Sequence, residues 1–414
     1  MSDRNTNVLF VGGVFPKEQE QEIIQNSRNN VQVAANNFQW NLIDGFDGYL
    51  TNPVSIFNEI YVGSFPKNYR KMIIPSYEFS HTTGAKDINL GFINVAYLKQ
   101  IISPFNEKKK LRKWLKNHEK DKAVFIYSLN IRFVRIAKYI KKIDDSIPII
   151  VSAMDLPEHI MKSRKETLIV RIWKKHLVKS VYEGLKYVDG CMLVADKQMD
   201  YIKKKPEDCI TIEAIVPERT KGFCPLISGK KRIVYAGTIA KQYNILDLVE
   251  AFKRIEDNNV ELVICGDGDT KDTIVNEAKE DQRIRYLGVL AKNELERIME
   301  EAWILVNPRK SGQIFTAYSF PSKTMDYLLA GRPIICQKLE AIPKEYDDYL
   351  IYFDSVDSLE KKIRELLNYD IERINSIGRA NYDFVTRMKS SKIQIKKIIG
   401  LFDKKRNELR GNRQ

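Results

Sequence analysis

Short apolar segments alternate with helical stretches along almost the whole chain, and this alternation limits the folds open to it. In the first half the apolar segments are NVLFVGG, KMIIPSY, KAVFIYS, IPIIVSAMD and GCMLVAD. A second series begins near residue 231 with KRIVYAG and continues with VELVICGDGD, RIRYLG, WILVNP and PIICQ. This pattern is typical of parallel sheets flanked by helices. It predicts an α/β fold with two doubly wound domains in series.

Two domains are also expected from length, because 414 residues exceed what one hydrophobic core usually supports. The stretch IVPERTKGFCPLISGKK is rich in Gly, Pro and Lys and lacks clear periodicity, which is typical of a linker. We expect a first domain over residues 1–218, a linker over 219–230 and a second domain over 231–384. Residues 385–414 are predicted to form a basic helix and tail that return to the first domain.

The chain carries a net charge of +14, from 68 Lys and Arg against 54 Asp and Glu. This excess indicates an anionic partner, which is a nucleic acid, a phosphorylated ligand or an acidic membrane surface. No RNA- or DNA-binding motif accompanies the charge, so nucleic acid is not expected. Five scattered cysteines indicate reduced thiols, and four distant histidines offer no metal-ligand spacing. We expect no metal and no cofactor.

The N-terminal stretch MSDRNTNVLFVGGVFP has neither the basic region nor the long apolar run of a signal peptide. No stretch of the chain approaches the ~20 apolar residues needed to cross a bilayer. The expected location is therefore cytoplasmic, with peripheral attachment to the inner membrane face left open.

The segment YSFPSKTMDYLLAGRP, residues 318–333, has clear start and stop signals for a helix. Pro321 is tolerated where a helix begins, and Gly331 followed by Pro333 ends it. One interpretation is a core helix. The other is a helix N-terminus that, together with Lys323, is directed at an anion. The segment alone does not choose between them.

Glycines follow the first strand of each half and a further strand of the second half. Gly12 and Gly13 come after NVLFV, Gly237 precedes Thr238 after KRIVYA, and Gly266 and Gly268 come after VELVIC. A plain turn explains each glycine separately. Their shared position at carboxyl ends of strands favours contact with a ligand. Neither G-x-G-x-x-G nor G-x-x-x-x-G-K-[ST] occurs, so a dinucleotide-binding oxidoreductase or a P-loop protein is not indicated.

Four stretches of the second half resemble, in order and spacing, the nucleotide-sugar glycosyltransferases of the GT-B fold. They are RIVYAGTIAKQYNILDLVEAF, LVICGDGD, RIRYLGVLAKNEL and FPSKTMDYLLAGRPII. The likeness covers roughly residues 230–400 well and the first half in outline. It is to the large retaining family of bacterial capsule, lipopolysaccharide and exopolysaccharide assembly, in a branch with a Phe-Pro-Ser-Lys motif. The resemblance implies two Rossmann-like domains facing an interdomain cleft that holds the ligands.

The same resemblance implies roles for residues of the second half. Gly237 and Thr238 would face the donor diphosphate, with the amides near Ser322 and the ammonium of Lys323. Gly266 and Gly268 would lie beside the nucleotide, Leu290 at the base and Asp326 at the ribose hydroxyls. From their position after the first strand, Gly12 and Gly13 of the first half are predicted donor contacts as well. A carboxylate is suited to accepting two vicinal hydroxyls. For Asp326 a solvated surface charge is the alternative.

Three positions depart from the commoner family pattern. Tyr318 stands where an acidic residue is usual, and Thr238 and Tyr243 stand where Arg and Lys are usual. Lys323, Arg309 and Lys241 are the available cationic replacements. Lys323 and Arg309 are therefore predicted to stabilise the leaving nucleoside diphosphate electrostatically. For Arg309 ordinary surface solvation is the alternative.

In the first half, IPIIVSAMDLPEH resembles the family's strand that ends in a His-Asp pair, with Met154 in place of the histidine. Asp155 is predicted to position the sugar or the acceptor, and a turn cap is the alternative. The region KMIIPSYEFSHTTGAKDINL and the loop after Phe15 are expected to line the acceptor side.

Two basic stretches, residues 161–186 and 385–413, interleave cations with apolar residues. Such helices can lie on an anionic membrane surface. Packing of the apolar stripes inside the protein is the alternative, and we favour it for Ile395, Ile398, Ile399 and Phe402. The basic tail beyond Phe402 would still be free to touch lipid.

Together these features predict a retaining, metal-independent hexosyltransferase that uses a nucleotide-sugar donor, with UDP as the expected carrier. The predicted acceptor is a lipid-linked saccharide or a polysaccharide of the cell surface, met at an anionic membrane. One alternative is an epimerase or phosphorylase of the same fold, which would want more acid and base residues in the cleft. The other is a catalytically degenerate partner subunit, suggested by Tyr318, Thr238 and Tyr243.

Overall fold

A computed structural model describes residues 4–28, 31–117, 121–154, 157, 167–218, 222–310 and 314–411. The chain forms two compact units. The first comprises residues up to Pro217 together with the segment from Ser391, and the second extends from Glu218 to Ser390.

The first unit is built on an eight-stranded sheet with the order β10-β9-β8-β7-β1-β2-β5-β4, in which only β4 is antiparallel to its neighbour. A separate antiparallel pair joins β3 to β6. The strands are β1 Asn7–Gly12, β2 Ser55–Asn58, β3 Ile73–Ile74, β4 Tyr77–Phe79, β5 Asp87–Asn89, β6 Phe92–Ile93, β7 Lys122–Ile126, β8 Ile149–Ala153, β9 Gly190–Leu193 and β10 Cys209–Thr211. The helices are α1 Glu20–Asn26, α2 Val33–Tyr49, α3 Leu98–Ile101, α4 Glu107–Asn117, α5 Ile131–Ile143, α6 Leu168–Gly184 and α7 Met199–Ile202.

The second unit contains a six-stranded parallel sheet with the order β13-β12-β11-β14-β15-β16. Its strands are β11 Lys231–Ala236, β12 Val260–Cys265, β13 Ile284–Gly288, β14 Ile304–Asn307, β15 Ile334–Cys336 and β16 Ile351–Tyr352. Its helices are α8 Ile245–Lys253, α9 Lys271–Glu280, α10 Lys292–Glu300, α11 Ile314–Ala317, α12 Ser322–Ala330, α13 Val356–Leu367 and α14 Ile371–Met388. The last helix of the chain, α15 Ser391–Gly411, belongs to the first unit.

Both sheets are covered by helices, which explains the continuous apolar runs of the sequence. In β1, Leu9 and Val11 face one apolar cluster with α4, α5 and α6, while Val8 and Phe10 face another with α2 and α15. Successive strand residues point to opposite faces, so a strand buried on both faces must be apolar throughout. The predicted α/β fold with two Rossmann-like parallel sheets is confirmed.

The apolar stripe of α15 lies in the core of the first unit. Ile395, Ile398, Ile399 and Phe402 are fully buried in the cluster that contains residues of α2. A Cβ at Gly45 of α2 would stand 2.7 Å from the Ile395 side chain, so the glycine permits this close packing. The stripe is therefore unavailable to a membrane. Among the helices of the described ranges, none combines the length and apolar content that a bilayer span requires.

His81 joins three elements of the first unit through buried charge. Its Nε2 lies 2.8 Å from Asp47 Oδ2 on α2, and its Nδ1 lies 2.6 Å from Asp87 Oδ2 on β5. The His81 side chain is only 3% exposed. Burial alone would lower its pKa, but hydrogen bonds to both carboxylates raise the pKa of His81 to about 9. The imidazolium therefore holds the β4–β5 hairpin against α2 at neutral pH.

Because the pKa of His81 is higher in the folded state than the ordinary value of 6.5, its contribution to stability is complete below about pH 6.5 and is lost as the pH rises through 9. The difference between the folded and the ordinary pKa of His81 corresponds to a loss of about 3 kcal/mol in the free energy of unfolding. Chemical unfolding at intervals from about pH 6 to about pH 9.5, a range that covers this transition, measures the loss. His81→Gln should be less stable at the low end and lack this decline. Parallel curves for the two proteins would contradict the assignment.

Candidate functional site

The carboxyl ends of β11 and β12 meet in two glycine-lined loops. Gly237 N donates to the Cys265 carbonyl at 2.8 Å, and Gly266 has a φ of +133°. A Cβ at Gly266 would overlap the Gly237 carbonyl oxygen and stand 2.8 Å from its carbon. The two loops thus approach backbone to backbone, which only glycine permits at Gly266.

Gly268, two residues further along the chain, continues the close contact between the two loops. A Cβ there would overlap the Ile239 carbonyl oxygen, while Ile239 N donates to the Asp267 carbonyl at 2.9 Å. Asp269 Oδ1 accepts from Lys241 N at 2.9 Å, which fixes the turn that follows β11. The segments 237–241 and 266–269 therefore form one surface of main-chain groups at the sheet edge.

Lys323, on the first turn of α12, reaches the end of β11. Its Nζ donates to the Ala236 carbonyl at 2.7 Å. Its stem covers Gly237, since a Cβ on that glycine would stand 2.6 Å from Nζ and 3.0 Å from Cδ. Burial lowers the pKa of Lys323, and the charge of Asp326 opposes this shift. A half-buried ammonium is thus held against a glycine loop.

Helix α12 is fixed to β11 by a second hydrogen bond. The Tyr327 hydroxyl, fully buried, accepts from Ala236 N at 2.9 Å. The helix starts after Pro321 and ends at Gly331 with φ +67° and ψ +52°, as the start and stop signals of its sequence predict. Ser322 and Asp326, one turn apart, are exposed on the same helix.

Arg309 lies in the loop after β14, the parallel neighbour of β11. Its guanidinium carbon is 5.7 Å from the centre of the Tyr243 ring, a distance suited to a cation–π interaction. Burial lowers the pKa of Arg309, with Tyr243 opposing the shift. The neighbouring cation, Lys310, forms an ion pair instead, with its Nζ 2.8 Å from Asp247. Arg309 is thus positioned by an aromatic ring that stands where a cation was expected from the resemblance.

The remaining predicted residues of the second unit lie around this edge. Thr238 is exposed, and its carbonyl accepts from the Tyr235 hydroxyl at 2.6 Å. Leu290 is half-buried two residues after Gly288, whose carbonyl accepts from Gly266 N at 2.7 Å. Tyr318 is half-buried between α11 and α12. The structure thus collects the predicted residues of the second unit at the carboxyl ends of β11 to β14 and the start of α12.

Gly12 and Gly13 lie in the first unit and are buried. A Cβ on Gly12 would overlap Oε1 of Gln39, and one on Gly13 would overlap the Tyr61 ring. Gly13 N donates to the same Gln39 oxygen at 2.7 Å. Close packing against Gln39 of α2 accounts for Gly12, and close packing against Tyr61, which follows β2, accounts for Gly13. Contact of the two glycines with a donor stays a prediction. Asp155 lies outside the described residues.

Glu59, a buried charged residue at the carboxyl end of β2, was not predicted from the sequence. Glu59 forms an ion pair with Arg132 at the start of α5, and both side chains are nearly inaccessible. Burial raises the pKa of Glu59 to about 7, with Arg132 opposing, and burial also raises the pKa of Glu107 to about 7. Burial lowers the pKa of Lys99 to about 8. The one available signal was an acidic residue directly after the segment SIFN, which forms β2.

Within the described parts of the chain, no three side chains of the His, Cys, Asp and Glu types form a group suited to a metal ion. The charged groups near the second sheet's edge include the cations Lys323 and Arg309 and the carboxylate Asp326. This set suits an anionic ligand that also carries hydroxyl groups.

The second unit contains a stretch that matches a known protein family. Residues 230–369 match the sequence model of the family described as Glycosyl transferases group 1. The matched stretch includes both glycine loops, Arg309 and α12. No curated protein matches the chain in sequence.

Solved structures are similar over nearly the whole chain. Sucrose-phosphate synthase (tll1590) from Thermosynechococcus elongatus has a TM-score of 0.59 at 13% identity, over 95% of this chain and 98% of its own. Anabaena Alr3699/HepE in complex with UDP has a TM-score of 0.58 at 10% identity, over 95% and 100%. The lipopolysaccharide outer core galactosyltransferase WaaB has a TM-score of 0.51 at 14% identity, over 99% and 100%. These likenesses show that the fold is that of the GT-B glycosyltransferases.

The close approach at Gly266 predicts an unequal response to two alanine substitutions. Gly229 has nearly the same φ, +136°, but no atom stands within 4 Å of a Cβ built there. Gly229→Ala should lower the free energy of unfolding by about 1–2 kcal/mol. Gly266→Ala adds overlap with backbone and should lose about 3 kcal/mol or more. Chemical unfolding measures both, and equal losses would show that the contact with Gly237 is not tight.

Proposed function

We propose that this chain is a retaining glycosyltransferase that moves a hexosyl group from a nucleotide-sugar donor, with UDP as carrier, to a lipid-linked saccharide or polysaccharide acceptor. The observation that carries the proposal is the meeting of Lys323 with the glycine-lined end of β11, inside the stretch that matches Glycosyl transferases group 1. The Anabaena structure that contains UDP favours a uridine carrier.

The donor diphosphate would lie over Gly237 and Thr238. Lys323 has three N–H donors, and one of them is already given to the Ala236 carbonyl. That bond holds the ammonium in place while the other two donors remain for phosphate oxygens. Arg309, braced on Tyr243, supplies the second cation. Both charges are in place before reaction, so they stabilise the departing diphosphate without reorganisation.

The nucleoside would lie along the surface formed by Gly266 and Gly268. Asp326 is exposed one turn into α12 and would accept hydrogen bonds from the ribose hydroxyls. Leu290 would contact the base through its main chain. The absence of side chains at the two glycines lets the ligand approach the backbone closely.

In the reaction, the bond between the anomeric carbon and the diphosphate oxygen breaks, and a bond to the acceptor oxygen forms on the same face, while the proton of the acceptor hydroxyl passes to the departing diphosphate. The charge that develops on the diphosphate is balanced by Lys323, Arg309 and the amides near Ser322, so we propose that no metal ion is needed. Asp155 would position the sugar or the acceptor. Gly12 and Gly13 are retained as predicted donor contacts of the first unit.

A cell-surface acceptor fits the charge of the protein. A net charge of +14 favours an anionic surface, and a lipid-linked saccharide is presented at such a surface. We therefore propose that the enzyme acts in the cytoplasm at the inner membrane face, in the assembly of a capsule or lipopolysaccharide.

Lys323→Ala should weaken UDP binding roughly 10- to 100-fold, because it removes a hydrogen bond to a charged group. Thermal-shift titration with UDP, GDP and ADP measures the affinity and the base preference. Turnover with a panel of UDP-sugars should fall at least as far, while the melting temperature of the free protein changes little. Lys361→Ala, an exposed lysine of α13, serves as the control. A wild-type protein that no nucleotide stabilises would overturn the proposed function, and equal loss of stability and turnover would make Lys323 structural.

Tyr243 should act through Arg309, and paired substitutions separate its ring from its hydroxyl. Tyr243→Ala removes the ring and should weaken UDP binding by a factor of about 3 to 30, from a cation–π interaction of 0.5–2 kcal/mol. Tyr243→Phe keeps the ring and should bind as the wild type does. Isothermal titration calorimetry measures all three proteins. Equal losses for the two variants would mean that the hydroxyl, not the ring, matters.

A further inference from the structure

Exposed apolar side chains concentrate on one part of the first unit. Of the sixteen large apolar side chains exposed among the described residues, nine lie on β3, around α3 and on α6. Seven of them form what we call the α3 surface: Met72, Ile73, Tyr97, Leu98, Ile101, Ile102 and Phe105. Leu168 and Ile172 of α6 are 69% and 62% exposed. An apolar grouping of this size indicates a binding surface.

Contacts within the first unit join these segments. Asn94 N donates to the Met72 carbonyl at 2.7 Å, and Phe105 N donates to the Gly91 carbonyl at 2.7 Å. The Tyr97 ring meets the Trp173 ring of α6 edge-on, with centroids 5.1 Å apart. The α3 surface and the exposed start of α6 are therefore neighbours.

Cations border the apolar side chains. Helix α4 begins two residues after Phe105, and its one acidic residue, Glu107, is buried. Its exposed side carries a group of cations: Lys108, Lys109, Arg112, Lys113 and Lys116. Arg135 of α5 donates to the carbonyls of Gln100 and Ile101 at 2.9 and 3.1 Å, which places another cation at the end of α3. Arg171 and Lys175 are exposed on α6.

We propose that the α3 surface docks on an anionic phospholipid bilayer, with its apolar side chains among the acyl chains and the bordering cations at the headgroups. This inference rests on the proposed function, because a lipid-linked acceptor requires the enzyme to work at a membrane. The positive charge around the α3 surface favours an anionic bilayer over a second copy of the chain as the binding partner. A second copy of the chain would bring a like-charged border against this one, whereas an anionic bilayer satisfies both the apolar and the cationic parts.

The place of the α3 surface in the fold supports this occupant. The part of the chain that carries α3 leaves the sheet at the carboxyl end of β5, a parallel neighbour of β2, and re-enters the sheet at β7. Ligands of open parallel sheets bind outside the carboxyl ends of the strands. Docking through the α3 surface therefore brings the edge expected to receive the acceptor close to the lipid.

Buried polar contacts hold this segment rigid. Glu59 pairs with Arg132, Lys99 Nζ donates to the Val62 carbonyl at 3.0 Å, and Asn94 Nδ2 donates to the Gly63 carbonyl at 2.8 Å. Lys99 therefore turns inward between Leu98 and Gln100, while Leu98 and Ile101 remain 44% and 55% exposed. The apolar side chains are displayed by a fixed framework.

Co-sedimentation with vesicles tests the proposal. The full chain should bind vesicles of phosphatidylcholine mixed with phosphatidylglycerol, and bind phosphatidylcholine alone much more weakly, with the difference reduced by salt. The double variant Leu98→Ser/Ile101→Ser should bind the mixed vesicles at least about tenfold more weakly, because two inserted apolar side chains are lost. The matched control, Ile143→Ser/Ile227→Ser, removes two exposed isoleucines elsewhere and should bind as the wild type does.

UDP binding, measured in the same proteins, separates this proposal from the proposed function. A wild type that binds UDP but not mixed vesicles would overturn the docking proposal alone. Unchanged vesicle binding in Leu98→Ser/Ile101→Ser would also overturn it, as would equal binding to neutral vesicles. A dimer in analytical ultracentrifugation that this variant abolishes would assign the α3 surface to a second copy instead.

Discussion

The carboxyl edge of the second sheet depends on the absence of a side chain at Gly266. Adjacent strands of a sheet are separated by about 4.8 Å, so the loops that leave β11 and β12 are close from the start. With φ +133° at Gly266, the chain turns so that its α-carbon faces the Gly237 carbonyl. Any β-carbon would push the two loops apart. Because Gly237 also lies beneath the stem of Lys323, moving it would move the ammonium, and the position of this charge is therefore set by a contact between two glycines.

Local sequence features predicted the architecture well, for physical reasons. Strands buried on both faces must be apolar throughout, so their runs are visible without knowledge of their partners. Helix α12 could be located because its ends need a particular residue, and Gly331 indeed has φ +67°. The apolar stripe of α15 was correctly assigned to the core. Each of these features is set by residues close together in the chain.

The parts of the site that sequence reasoning missed depend on contacts between distant residues. Tyr243 looked like the loss of a cation, but it positions Arg309 from another loop of the same edge. Glu59 and Arg132 are far apart in sequence and meet only when β2 and α5 are in place. Gly12 ends β1 and Gly237 follows β11, the first strand of each unit, yet one lies under Gln39 and the other under Lys323. Identical local patterns thus acquire different roles from the side chain that covers them.

The net charge likewise does not reveal what individual cations do, because the cations of this protein have different roles. Arg332 is fully buried and donates to the carbonyls of Glu300 and Cys224 at 2.8 Å each, so it contributes to packing of the second unit. Lys323 and Arg309 are half-buried at a sheet edge, where desolvation strengthens their attraction for an anion. The cations of α4 are exposed beside apolar side chains. Burying the Glu59–Arg132 pair costs desolvation energy that two apolar residues would not incur. Its effect is to hold the segment that carries the α3 surface in one geometry. The proposed docking, which would keep the acceptor edge at a fixed height above lipid, requires such rigidity.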